Sequence, residues 1–168
     1  MKKIIVALAI FTAMACQESK IGFIDNQKIM TDYQEKKDVE AKFQTKVDAF
    51  SKKRDSISQS FQMRGRAFEV QAQKMTQSQI EEQSAQFQQE GQFIGQQLQQ
   101  EQEKLQTQNQ TEMDSIISKV KREIQAYGKA NGYSFILGGG DGGSVLYGEE
   151  AKDVTAPILK ILNDNYKK

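Results

Sequence analysis

From Gln27 to about Ala130 the chain has no proline, and its glycines are Gly65, Gly91, Gly95 and Gly128. A polar stretch of this length without breakers is expected to be helical, and its apolar spacing says how the helices pack. Phe43, Phe50 and Ile57 step by seven, and Val47, Phe61, Phe68 and Met75 lie on the interleaved series, with Arg54 in the missing place. A second seam places Ile80, Phe87 and Ile94 on one series and Leu98 and Leu105 on the other. It continues with a phase shift through Met113, Ile116, Val120, Ile124 and Tyr127. Such heptads are the pattern of a coiled coil.

The two seams imply a reversal between them. Thr76 with Gln79, and Ser78 with Glu81, form overlapping capping boxes. Basic Lys74 precedes them and Glu81 and Glu82 follow, as the helix dipole favours at a C-terminus and then an N-terminus. The tip is therefore expected near 74–78, making residues 27–130 a long antiparallel helical hairpin with arms of similar length.

Its seam is poor. Between Gln71 and Gln110, 17 of 40 residues are glutamine, and Ser84 and Gly91 stand where leucine would pack better. This pattern fits either a solvated face on an ordinary coiled coil or a pliant arm. Charge is uneven as well. Lys52, Lys53, Arg54, Arg64, Arg66 and Lys74 outweigh Asp55 and Glu69 on the outer half of the first helix, whereas seven acids between Thr76 and Ser118 face only Lys104. The helices should attract each other; the alternative use of the basic residues is a strip for an acidic partner or lipid head groups.

Short apolar runs flank the hairpin. Ile21–Ile24 reads as a strand ending in the helix-capping pair Asp25-Asn26. After the helix-ending pair Asn131-Gly132 come Tyr133–Leu137, a glycine run and Val145–Tyr147, two further strands by composition. Asp153 or Thr155 can cap a last helix with Pro157 in its first turn and Ile158, Ile161 and Leu162 as its stripe. The fold class is thus mainly α, with a small β body from 21–26 and 131–168. Three short strands and one helix are too little for a core alone and leave sheet edges open, which copies of the same piece would close. A symmetric homo-oligomer is expected, with Ile21, Phe23, Phe135, Leu137, Val145 and Tyr147 as the association residues.

The glycine run Gly138-Gly139-Gly140-Asp141-Gly142-Gly143-Ser144 invites a nucleotide-binding reading. A phosphate loop ends in Lys followed by Ser or Thr and enters a helix directly. This run has no Lys and leads into a strand-like segment, so the expectation is a hairpin turn and no enzyme. With no His and no Trp, histidine-based triads and zinc sites are excluded; no metal or cofactor is expected.

Residues 1–15 read as a cleaved secretion signal: Lys2 and Lys3, an apolar run from Ile4 to Phe11, and the small-residue site Ala13-Met14-Ala15. The working chain then lies outside the cytoplasm, without ATP. The single cysteine, Cys16, follows that site immediately and is a candidate for lipidation; cleavage beside a chance cysteine is the other reading. Removing Lys2 and Lys3 leaves 21 basic and 22 acidic residues. Overall charge gives no argument for nucleic acid.

The order of these elements, with Ile21-Gly22-Phe23-Ile24-Asp25 at one end and Tyr133–Leu137, Val145–Tyr147 and Asp153-Val154-Thr155 at the other, resembles the Skp (OmpH-like) family of periplasmic chaperones. The resemblance implies a homotrimer whose strands join in a central barrel and whose helical arms enclose unfolded outer-membrane β-barrel proteins without ATP. On that basis the client contacts would come from Lys52, Lys53, Arg54, Phe61, Arg64, Arg66, Phe68, Lys74 and Met75. The rival reading is a structural or adaptor coiled-coil lipoprotein of the cell envelope.

Overall fold

The computed structural model describes residues 19–140 and 143–167. The expected signal segment, Cys16 and its lipidation, and Asp141-Gly142 lie outside the described residues. In chain order the elements are strand β1 (Ile21–Asp25), helix α1 (Asn26–Asp32), helix α2 (Gln34–Ala72), helix α3 (Gln77–Ala130), strand β2 (Phe135–Gly139), a short 3-10 turn (Glu150–Lys152) and helix α4 (Thr155–Tyr166). They divide into two compact units, one from residues up to 36 together with 117–168, the other from 37–116.

In the strand-bearing unit, β1 and β2 pair in parallel, Ile21 opposite Phe135 and Phe23 opposite Leu137. A parallel pair needs a crossover, since no tight turn can join its ends. The three helices between the strands, α1 to α3, supply it. Asp25 ends β1 and caps α1, its Oδ1 accepting from the Lys28 N–H at 2.9 Å. The end of α3 closes on Gly132, whose φ is +70°. There the Tyr133 N–H reaches Gly128 O (2.9 Å) and the Gly132 N–H reaches Lys129 O (3.4 Å), the two bonds of a Schellman cap. The expected start and stop signals hold at both places.

One continuous helix from near Gln27 does not form. Tyr33 breaks it with extended backbone (φ −69°, ψ 118°), and the exposed start of α2 is satisfied from elsewhere: Asn163 Oδ1 on α4 accepts the Gln34 N–H at 2.8 Å. The break lets the Tyr33 ring enter the core, where it is 3% exposed beside the buried Ile24, Ile29, Val120, Val154, Ile158 and Leu162. Ile158 and Leu162 are the buried stripe foreseen for the last helix.

The segment Asp153-Val154-Thr155 ties α4 to the end of β1. The Val154 N–H donates to Phe23 O (2.9 Å), and the Asp25 N–H donates to Thr155 Oγ1 (2.8 Å). Asp153 Oδ1 takes the Thr155 N–H (2.8 Å) and the Thr155 hydroxyl. Thr155 is 2% exposed, so these partners satisfy a hydroxyl that has left water.

The expected third strand and hairpin are not formed. Val145 makes one isolated parallel bridge to Gly139, and Leu146 and Tyr147 are 99% and 88% exposed. The loop instead folds back on the end of β2, with the Ser144 N–H on Gly138 O (2.8 Å) and the Gly143 N–H on Gly140 O (2.9 Å). That fold explains Gly140 and Gly143. Gly140 has φ +82°, and a methyl on Gly143 would sit 2.6 Å from the Gly139 carbonyl carbon. The backbone approaches itself too closely for any side chain.

Candidate functional site

The unit 37–116 is a helical hairpin closed by the turn between Ala72 and Gln77. Of the two overlapping boxes, the one at Thr76 forms: its N–H donates to Gln79 Oε1 (3.0 Å), and the Gln79 N–H returns to Thr76 Oγ1 (3.4 Å). Glu81 instead accepts from the Gln77 side chain at 2.8 Å. The seam falls where the heptads place it. Half-buried positions run through 43, 47, 50, 57, 61, 65, 68 and 72 on α2, 75 in the turn, and 80, 84, 87, 91, 94, 98, 101 and 105 on α3. Ser84 and Gly91 are indeed among them.

On α2 the step from 57 to 61 to 65 is four and four, a stutter in the heptad that loosens supercoiling locally. There the seam is filled by rings. Phe61 and Phe87 stack with centroids 4.1 Å apart and planes 15° apart. Each ring lies over a glycine of the facing helix: a methyl on Gly91 would be 3.0 Å from Phe61 Cζ, and one on Gly65 would be 3.5 Å from Phe87 Cζ.

Cross-helix charge pairing follows the expected asymmetry. Arg64 grips Glu90 with both guanidinium nitrogens, Lys53 meets Glu101 at 2.6 Å, and Lys46 approaches Glu112 at 3.8 Å. Arg64 holds the Glu90 carboxyl below its usual range. The candidate cations thus divide. Lys53 and Arg64 pair with α3, and Arg54, at a seam position, turns outward to Asp55 (3.0 Å) and Ser51 (3.3 Å). Lys52, Arg66 and Lys74 are exposed and make no ion pair among the described residues. Of the apolar candidates, Phe61, Phe68 and Met75 are half-buried seam residues.

Sequence reasoning missed three large apolar side chains that stand off the seam. Met63, Val70 and Phe93 are 64%, 65% and 58% exposed. Met63 and Val70 are seven residues apart, about two turns, and so share one face of α2. The signal was present in their phase, half a turn from the heptad positions, but it shows only once the seam is known.

On the strand-bearing unit, alternation puts Ile21, Phe23, Phe135 and Leu137 on one face of the two-stranded sheet. Ile21, Phe135 and Leu137 are 43%, 60% and 41% exposed. With Val145, Leu146 and Tyr147 this side borders a groove of about 540 Å³ lined by Ile21, Phe23, Leu137, Val145, Leu146 and Tyr147, among others. Five of the six association candidates therefore line one groove, and Phe135 lies on the same sheet face outside its lining. Leu146 belongs with them and was not foreseen.

A polar cluster marks the break at Tyr33. The Tyr33 hydroxyl donates to Glu35 Oε2 at 2.5 Å, and Lys119 Nζ donates to Glu35 Oε1. Burial, and then the Glu35 carboxylate, push the Tyr33 phenol well above its ordinary value. Burial would raise Glu35, but the bonds from Lys119 and Tyr33 outweigh it and hold the carboxyl below its usual range. Among the described residues no cluster of three His, Cys, Asp or Glu could hold a metal, and no helix is long and apolar enough to cross a membrane.

A model of the family described as outer membrane protein (OmpH-like) matches residues 20–162. The fold is similar to the crystal structure of a Caulobacter crescentus CB15 protein described provisionally as an outer membrane chaperone (OmpH-like). The TM-score is 0.78 at 15% identity, over 90% of this chain and 88% of that one. No match was found among the curated proteins. Both strands, the helical hairpin and the last helix up to Leu162 fall within the matched residues, and the chain belongs to the OmpH-like outer membrane protein family.

Proposed function

We propose that the chain is an ATP-independent holdase chaperone of the periplasm, which keeps unfolded outer-membrane β-barrel proteins soluble on their way to the membrane. One observation carries the reading beyond family membership: from residue 37 to residue 115 no described side chain is fully buried. The seam residues of this hairpin keep part of their apolar surface in water, with Met63, Val70 and Phe93 wholly outside the seam. Such a surface offers many weak contacts and no single tight one. An unfolded barrel strand presents alternating apolar residues and unpaired backbone, which aggregate when left free. Weak contacts spread along a hairpin cover that surface without imposing a fold. Release needs no nucleotide, because the inserted barrel is the deeper well.

The apolar face of Ile21, Phe135 and Leu137 supports association into a homotrimer through the strands, since a two-stranded sheet is marginal alone and its open edges invite pairing. Cys16 is the proposed lipid tether. Radioactive palmitate should label the wild type and not Cys16→Ala, and equal labelling would sink the tether. The chaperone reading is tested by light scattering: stoichiometric protein should suppress the aggregation of a barrel protein diluted from urea, and unchanged scattering would refute it.

A further inference from the structure

Three glutamines of the hairpin, Gln71, Gln83 and Gln86, line one cleft. Just beyond the Phe61–Phe87 stack, toward the tip, residues of both helices line a cavity of about 340 Å³. Phe68, Phe87 and Ala67 supply its apolar lining, and Gln71, Gln83 and Gln86 its polar lining. Arg64 and Glu90 border it as a closed pair. In the antiparallel register set by Arg64–Glu90 and Lys53–Glu101, Gln71 lies opposite Gln83, so amides flank the cleft from both helices. The Phe61–Phe87 stack over Gly65 and Gly91 holds the helices together on the other side.

We propose that this cleft is a socket for one large apolar side chain carried on an extended, uncharged segment of polypeptide. The inference rests on the chaperone reading and gives it a specific contact site. Size favours a single residue: the volume is near the lower end of the range for ligand pockets, about 300–1,000 Å³. Phe68, Phe87 and Ala67 take the side chain. A primary amide both donates and accepts, so glutamine can pair with a peptide backbone running in either direction. Charge complementarity fixes the rest. Among the described residues, the ionic groups lining the cleft are Arg64 and Glu90, which neutralise each other, so a charged segment gains nothing there and loses hydration. Binding at this socket is therefore insensitive to salt, unlike capture by the exposed cations Lys52, Arg66 and Lys74.

The chain contains no tryptophan, which supplies the probe. An unstructured Gly/Ser/Asn peptide bearing one Trp is titrated with the full protein, and its emission is followed. The expected result is a saturable blue shift whose midpoint moves less than about twofold between 50 and 300 mM salt. Ala67→Phe, which fills the cleft, should abolish the shift. Replacing Gln71, Gln83 and Gln86 together by Ala should weaken binding by roughly fivefold or more. Circular dichroism verifies that each variant keeps its helices. A shift that survives Ala67→Phe in a folded protein, an absent shift, or a tenfold loss in salt would each overturn the socket. If wild-type protein still suppresses barrel aggregation in that case, the socket alone fails; if it does not, the chaperone reading fails with it.

Discussion

Phe61 and Phe87 lie face to face, 4.1 Å between centroids, each ring seated over a glycine of the opposite helix. Helix-interior glycine costs about 1 kcal/mol relative to alanine, so Gly65 and Gly91 are retained against propensity. The facing ring gives the reason at Gly91, where a methyl would press on Phe61 at 3.0 Å. Gly95 has nothing within 4 Å of an added methyl.

An ordering follows for alanine substitution at these three sites. Gly95→Ala and Gly65→Ala should stabilise the hairpin by about 0.5–1 kcal/mol each, while Gly91→Ala gains less because Phe61 must shift. Thermal melts followed by circular dichroism measure the order. Equal gains at Gly91 and Gly95 would mean that the ring does not constrain the seam.

Thr155 is the buried hydroxyl that joins α4 to β1, accepting from the Asp25 N–H and donating to Asp153. Thr155→Val keeps the shape and leaves that N–H without a partner, a cost of about 1–3 kcal/mol. Urea unfolding should show a correspondingly lower midpoint with an unchanged slope. Wild-type stability in this variant would show the network to be dispensable.

The Tyr33–Glu35–Lys119 cluster makes stability depend on pH at both ends of the scale. Glu35 is held below its ordinary value, so its contribution is present above the unfolded value of about 4.3 and is lost as pH falls through the lower folded value. Tyr33 is held above its ordinary value, so its contribution is present below the unfolded value of about 10 and declines as pH rises above it. Glu35→Gln should flatten the acid limb of a plot of melting temperature against pH, and Tyr33→Phe the alkaline limb. Limbs unchanged in both variants would place the titration elsewhere.

Association through the sheet face makes a prediction about mass. Wild-type protein should elute in size exclusion with three times the chain mass by light scattering. Phe135→Glu places a charge on the exposed apolar face and should lower that mass. A monomeric wild type would remove the shared barrel.

Local signals in the sequence were read correctly where the determinants are local. The seam positions from Phe43 to Leu105, the box at Thr76 and the glycine end at Gly132 depend on residues within two turns of each other. What was missed depends on distant partners. Tyr33 looks like any helix residue until Asn163, from the far end of the chain, caps the helix that restarts after it. Val145–Tyr147 has strand composition, yet its one bridge among the described residues joins Val145 to the end of β2. In the glycine run, the close approach of Gly143 to Gly138 and Gly139 depends on the chain folding back and could not be read from composition. Off-seam Met63, Val70 and Phe93 read as noise in the heptads and became candidate contacts through their exposure.

As a holdase, this protein should keep its client soluble and unfolded. Because this chain has no tryptophan, the emission of a tryptophan-containing barrel protein reports the client alone within the complex. Mixed with stoichiometric protein and diluted from urea, the client should remain in the supernatant. Far-ultraviolet circular dichroism of the complex, less that of this chain, should lack the signature of a folded barrel, and detergent micelles should then shift the tryptophan emission to that of the folded form. Precipitation of the client, or a native spectrum before any micelle is added, would contradict the account.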